Sequence, residues 1–244
     1  MSLPRPPTSA PTADPIAREC LANLIASLAD NKAALGQRYG EWAVSAPSLE
    51  SAVAAAAMAQ DELGHARATY PILKQLGESS ESEETGGERR LAMLDSELPD
   101  WTAFVAANLL VDGMLTTFVA ACRDSSLEPL GQRARKILQE EGSHRVHAEA
   151  WAKRLCRLGG ANRSALVQRL LESWEQVSRW PGPEADEGFR ATVDAGLVAH
   201  GPDHLRRQMS TWLTALLAEQ DTTIELEHPT DWSSWDPHRR RAAP

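Results

Sequence analysis

Apolar residues recur along this chain every three or four positions, in stretches far longer than a strand, and alternation with period two is missing. The pattern predicts an all-α protein. Pro15 stands at a first helical position after Asp14 and opens a helix over 15–46, which the Ala46-Pro47-Ser48 turn ends. A second helix is expected over 48–77, then an exposed Glu/Ser/Gly-rich loop over 78–88, a short helix, and a break at Leu98-Pro99. A third long helix is expected over 100–124 and a fourth over 127–158, closing at Gly159-Gly160. These four make a bundle. Three more helices follow, at 161–179, 184–199 and 202–225, separated by Trp180-Pro181-Gly182-Pro183 and Gly201-Pro202. The chain thus divides into a Pro-rich tail over 1–14, expected to be disordered, a helical domain over 15–228, and a flexible C-terminal tail over 229–244. That last tail carries Trp232 and Trp235, and it either packs on the bundle or docks on a partner.

Composition agrees with the periodicity, since Ala, Leu, Arg, Gln and Glu dominate. With 244 residues, 42% of them hydrophobic, the chain is long enough to bury a full core within one domain. A net charge of −9 and a pI near 5.3 argue against a nucleic-acid surface, which needs clustered Lys and Arg. The one basic run, Arg239-Arg240-Arg241, reads as a solvated tail. Cys20, Cys122 and Cys156 are widely spaced and odd in number, so neither a disulfide framework nor a zinc ribbon is expected. The N-terminal stretch lacks the apolar core of a signal peptide, and no later segment has about 18 uninterrupted apolar residues. These features predict a soluble cytoplasmic protein that engages neither membrane nor nucleic acid.

The chemistry concentrates in two Glu-x-x-His pairs, Glu62-Leu63-Gly64-His65 and Glu141-Gly142-Ser143-His144. Residues three apart on a helix lie one turn apart on one face, so each pair can point into a bundle core. Around the first, Ala55, Met58, Glu62, His65 and Thr69 keep the helical period; around the second, Leu138, Glu141, His144, Ala148, Trp151 and Leu155 do. Both pairs therefore face inward. A third match, Glu225 to His228, precedes Pro229 at a helix end and reads as a surface accident. A carboxylate on a core face costs several kcal/mol unless it is paired or bound to metal. Two structures meet that cost: a hydrogen-bonded Glu–His pair in each helix, or the shared site at which ferritin-like bundles hold two iron or manganese ions.

Asp112 strengthens the second option, because it is a lone acid on the apolar face formed by Val105, Leu109, Leu115, Val119 and Cys122. The first helix departs from a four-carboxylate site. Its inward stripe reads Ile25, Leu28, Lys32, Leu35, Tyr39, with a lysine where an acid is wanted. Lys32 then either offsets the negative charge beside it, ligates as a neutral amine, or snorkels to the surface.

These residues resemble the ferritin-like subunits of the bacterial phenylacetyl-CoA epoxidase family, of which one kind is catalytic and di-iron and a related kind is structural. The likeness covers 16–229. Gln60-Asp61-Glu62-Leu63-Gly64-His65, Leu110-Val111-Asp112-Gly113 and Glu140-Glu141-Gly142-Ser143-His144 look like the catalytic subunit. Leu35-Gly36-Gln37-Arg38-Tyr39-Gly40-Glu41-Trp42 and the 196–206 segment look like the structural one. The resemblance implies a ferritin-like bundle in which Glu62, His65, Asp112, Glu141 and His144 ligate iron, two ions or one, or manganese, with Lys32 at the place of the catalytic subunit's first-helix Glu. Asp61 and Glu140 are candidates to orient those ligands. It also implies a non-haem oxygenase acting on a small organic acid or acyl-CoA, or else a structural partner subunit with a vestigial site. A reductase, a ferritin-like partner and a homo- or hetero-oligomer follow as expected associations. Lys32 and Tyr39 are the candidates for a residue that itself takes part in the redox chemistry.

Overall fold

The computed structural model describes residues 14–77 and 89–242. The expected tail over 1–14, apart from Asp14, and the loop over 78–88 lie outside those residues. The fold is the all-α bundle that the periodicity predicts, of the ferritin-like kind that the resemblance implies. Helix α1 (Pro15–Trp42) starts where Asp14 accepts a hydrogen bond from the Ile16 amide, and α2 (Leu49–Thr69) where the Ser48 hydroxyl accepts from Ser51. Pro71 ends the straight run of α2 before 77 and starts the short α3 (Pro71–Gln75), because proline supplies no amide to continue the ladder. After a 3₁₀ turn at Ala92–Leu94, Asp100 caps α4 (Trp101–Ala107).

What the sequence presented as one uniform third helix is interrupted. A π-helical turn, Asn108–Asp112, separates α4 from α5 (Gly113–Ala121). The Trp101–Ala121 span is long and apolar enough to cross a membrane by length and composition, but 78% of its 18-residue window is buried in the bundle. It is the core helix. α6 (Glu128–Leu158) then runs for 31 residues until Gly159 turns the chain at φ +66°.

α1, α2, α4–α5 and α6 form the bundle, and their inward faces merge into one apolar core. α7 (Gly160–Arg179) packs on α4 and α6, α8 (Glu187–Asp194) on α1, and α9 (Pro202–Ala218) on α5 and α6. α8 is half the length expected, because Gly196 takes φ +66° just after it.

The C-terminal stretch, expected to be a flexible tail, packs on the bundle over its described residues. Trp235–Asp236 (β1) pairs with Arg241–Ala242 (β2), and Arg240 between them is 1% exposed rather than solvated. Its guanidinium donates to the carbonyls of Trp180, at 3.2 Å, and Pro181. Gly182, at φ +85°, is required here: a Cβ would stand 2.7 Å from the Trp235 ring. The three cysteines are buried and unpaired.

Candidate metal centre

Lys32 lies in the middle of α1 and is wholly withdrawn from solvent, where lysine is found only when paired. Its Nζ donates to Glu62 Oε1 at 2.9 Å, Asp112 Oδ1 at 2.7 Å and Glu141 Oε1 at 2.5 Å. Three other segments of the bundle thus each send one carboxylate to a single ammonium. The close approach of α1 and α2 depends on Gly36, one turn beyond Lys32, where a Cβ would fall 2.7 Å from Leu63 Cγ and 3.0 Å from the Ala59 carbonyl. Of the three roles open to Lys32 from sequence, the snorkelling one is excluded by its burial.

The two Glu-x-x-His pairs do what their spacing suggests. His144 Nδ1 stands 3.0 Å from Asp112 Oδ2, 3.2 Å from Glu62 Oε1 and 3.5 Å from Glu141 Oε2. His65 Nδ1 comes within 3.3 Å of Glu141 Oε1 and 3.9 Å of Glu62 Oε1, off the hydrogen-bond direction, so it has no aligned partner. The outer nitrogens are braced crosswise. His65 Nε2, on α2, is 2.7 Å from Glu140 of α6, and His144 Nε2, on α6, is 3.4 Å from Asp61 of α2. Each acid that precedes a cluster glutamate therefore holds the imidazole of the opposite helix. The outward contacts fix the orientation of each ring, and an inner nitrogen that gave up its proton to a metal ion would turn its lone pair to the cluster.

Asp112 closes the π-helical turn, a local widening that is frequent at functional sites. Asn108, at the start of that turn, donates from Nδ2 to Tyr39 Oη at 3.0 Å and to Asp112 Oδ2 at 3.2 Å, and Tyr39 Oη stands 3.5 Å from the same oxygen. Sequence reasoning passed over Asn108. The signal was present, because Asn108 lies one turn before Asp112 on the same largely apolar run.

The charges shape one another. Burial alone would lower the Lys32 ammonium, but Asp112, Glu141 and Glu62 outweigh it and hold it well above its ordinary value. It is therefore a cation, not a neutral amine. Burial, reinforced by Asp112, lifts Glu62 to about 8 against the pull of Lys32. Burial would also raise Asp112, but Lys32 and His144 override it and hold that carboxyl far below its usual range. His144 is depressed by burial yet driven to about 11 by its contacts with Asp112 and Glu62, and His65 is raised despite burial by the Glu141 carboxylate beside it. Tyr39 is pushed well up by burial and by Asp112, so its phenol keeps its proton.

The residues fit a metal ion. Glu62, Asp112, Glu141 and His144 each offer a ligand atom, all within 4.8 Å of one another and all buried. His65 lies outside that set but faces it. Glu62 Oε2 and His65 Nδ1 are buried without a hydrogen-bond partner, which is unfavourable unless something else binds them. Carboxylate and imidazole donors suit iron and manganese. All five expected ligands thus come together, with Lys32 and Tyr39 beside them. Glu225 and His228 lie beyond the end of α9, where His228 faces Ser210 at 3.4 Å, apart from this cluster.

A cavity of about 220 Å³ reaches the cluster between α5, α6 and α9. Asn108, Asp112, Glu141 and His144 line its inner part, and Leu138, Met209, Trp212, Gln208 and Arg145 are among the residues that line the rest. Arg145 stacks over the Trp212 ring at 4.6 Å and pairs with Glu149 at 2.8 Å.

No curated protein matches the chain. The family of phenylacetic acid catabolic proteins does match it, over residues 8–241, a span that takes in every member of the cluster. The chain, with its paired Glu-x-x-His helices and its carboxylate from the core helix, belongs to that family.

Proposed function

We propose that this protein is the metal-binding oxygenase subunit of a multicomponent system that oxidises a small organic acid or its acyl-CoA thioester with dioxygen. The family is that of a multicomponent oxygenase of phenylacetate catabolism, which supports an oxidoreductase role. The observation that carries the reading is the convergence of Glu62, Asp112, Glu141 and His144 on one buried centre, with two crosswise-braced imidazoles. Glu62, Asp112, Glu141 and His144 would hold iron, with His65 closing the set. When bound, iron supplies the electrons that dioxygen accepts. The chain's own residues do the rest. Asp61 and Glu140 orient the imidazoles, Asn108 fixes Asp112 and Tyr39, and the apolar walls of the cavity exclude water. About 220 Å³ accommodates the acyl or aryl end of a substrate but not a whole coenzyme, which would extend outward past Arg145 and Gln208. The sequence carries no flavin or iron–sulfur motif, so the electrons would come from a separate reductase or from a sacrificial residue, Tyr39 or Lys32.

One observation favours a second reading, a non-catalytic partner subunit: the Lys32 ammonium already engages all three carboxylates. Anaerobic addition of Fe(II) to metal-free protein, followed by metal analysis and an oxygen-uptake assay with aromatic acids and their CoA thioesters, separates the two. Specific iron that Glu62→Ala or Glu141→Ala abolishes, with oxygen uptake coupled to substrate, supports the oxygenase. A chain without specific iron that co-purifies with a second ferritin-like subunit supports the partner role and overturns the first.

A further inference from the structure

We infer that the centre is built for one divalent metal ion and not two, with the Lys32 ammonium as its second, permanent cation. The inference rests on the metal-binding reading above and specifies its stoichiometry. An ammonium has three protons to donate, and Lys32 spends one on each of Glu62 Oε1, Asp112 Oδ1 and Glu141 Oε1. Each carboxylate is left with one oxygen: Glu62 Oε2, Asp112 Oδ2 and Glu141 Oε2. Beside that remaining set stands the inner nitrogen of His144, its Nδ1 3.0 Å from Asp112 Oδ2 and 3.5 Å from Glu141 Oε2, while His65 Nδ1, without an aligned partner, lies 3.3 Å from the Lys32-bound Glu141 Oε1. Three oxygens and one or two nitrogens are a sufficient set for one ion. A second ion would have to take its ligands from the carboxylate oxygens that Lys32 already holds.

Charge gives the same count. With both imidazoles neutral, as metal ligation requires, the three buried carboxylates carry three negative charges when ionised, Lys32 carries one positive, and a single divalent ion supplies the other two. A second ion would leave two uncompensated positive charges among side chains no more than 4% exposed, which the low-dielectric core disfavours. Replacing the ammonium by a carboxylate lowers the fixed charge by two units, the charge of one divalent ion. The Lys32→Glu variant should therefore open the second place.

Mn(II) is the probe, because an isolated ion and a magnetically coupled pair give different electron paramagnetic resonance spectra. Metal-free full-length protein titrated with Mn(II) should bind one tight equivalent, with the spectrum of an isolated ion, and Glu141→Gln should lose it. Lys32→Glu should bind two, with a coupled spectrum. Two tight ions in the unaltered chain would overturn the inference, as would none. Circular dichroism checks that Lys32→Glu folds; if it does not, native mass spectrometry of the unaltered chain still decides between one ion and two. The readout is independent of turnover. A chain that holds one ion yet consumes no oxygen supports this inference while removing the oxygenase proposal, and a chain that holds two and turns over does the reverse.

Discussion

Lys32, Arg206 and Arg240 are each at most 2% exposed, yet the surroundings of the lysine and of the two arginines differ in kind. The arginines meet mainly backbone. Arg206 donates to the carbonyls of Gly182, at 2.5 Å, and Ser178, at 3.4 Å, and pairs with Asp203; Arg240 donates to Trp180 and Pro181 and faces Asp186 at 3.6 Å. One acid accompanies each cation, and the carbonyls come from the end of α7 and the 180–183 turn. Together they form a clamp, Arg240 fastening the C-terminal stretch to that turn and Arg206 fastening α9 to it. Around Lys32 the acids outnumber the lysine three to one, two imidazoles are drawn in, and Glu62 Oε2 and His65 Nδ1 stay unpartnered. Folding alone gains nothing from such a surplus, because buried polar atoms without partners are destabilising. Matched charge fits a structural device, and the unmatched acids around Lys32 are where the proposed metal would complete the balance.

The comparison is broken most directly at Lys32. Lys32→Met leaves three carboxylates facing one another without their shared cation, and loss of one member of a buried ionic cluster costs about 3–5 kcal/mol. Urea unfolding of the metal-free variant should show a loss of that size. Saturating Mn(II) should recover a large part of it, since an ion that binds only the folded state stabilises it. A loss under about 1 kcal/mol would mean that the acids shed their charge by taking up protons and that Lys32 is incidental. Arg240→Met comes next. It strands two carbonyls and removes the cation facing Asp186, and should cost about 2–4 kcal/mol. Mn(II) should raise the variant and the unaltered protein equally. Preferential rescue of Arg240→Met by metal would erase the distinction between the clusters.

Much of the centre was legible because it obeys helical spacing. Glu62 and His65, like Glu141 and His144, fall on apolar stripes three residues apart, and Lys32 and Asp112 announce themselves as lone charges on such stripes. Local rules suffice for these. The π-helical turn was not legible, because a run as apolar as 101–121 keeps its hydrophobic character through one extra residue per turn. The burial of Arg240 was equally hidden, since its partners are carbonyls some 60 positions away, and carbonyls carry no mark in a sequence. Three adjacent arginines near a chain end look the same whether solvated or clamped. The break after Thr69, by contrast, was available from Pro71, which the length of the apolar pattern outweighed.

The crosswise braces sharpen the comparison from the other side. Asp61 and Glu140 have side chains 36% and 41% exposed, so neither contributes much to folding, and Asp61→Asn or Glu140→Gln should shift stability by no more than about 0.5 kcal/mol. Their expected effect is on the ion. Loss of a group that orients a metal-binding imidazole lowers affinity about 10- to 100-fold, measurable by Mn(II) titration against a competing chelator. If affinity stays constant while stability falls, the two acids belong with the arginine clamp and not with the centre.

Asn108→Leu should have the smallest effect and bears on where the centre ends. Asn108 is 3% exposed, and its Nδ2 binds both Tyr39 and Asp112, but its Oδ1 is buried without a partner. Leucine has nearly the same volume, removes the two hydrogen bonds, and also removes the unsatisfied oxygen. A hydrogen bond nets about 1 kcal/mol, more when the acceptor is charged, and the relief of the orphaned oxygen offsets part of the loss of two. The net change expected in urea unfolding is a destabilisation of about 1 kcal/mol, with one Mn(II) still bound because no ligand atom is lost. A loss above about 3 kcal/mol would show that Asn108 holds the π-helical turn itself. Loss of the ion would show that Asp112 reaches the centre only when Asn108 restrains it, which would extend the unmatched cluster by one residue along the core helix.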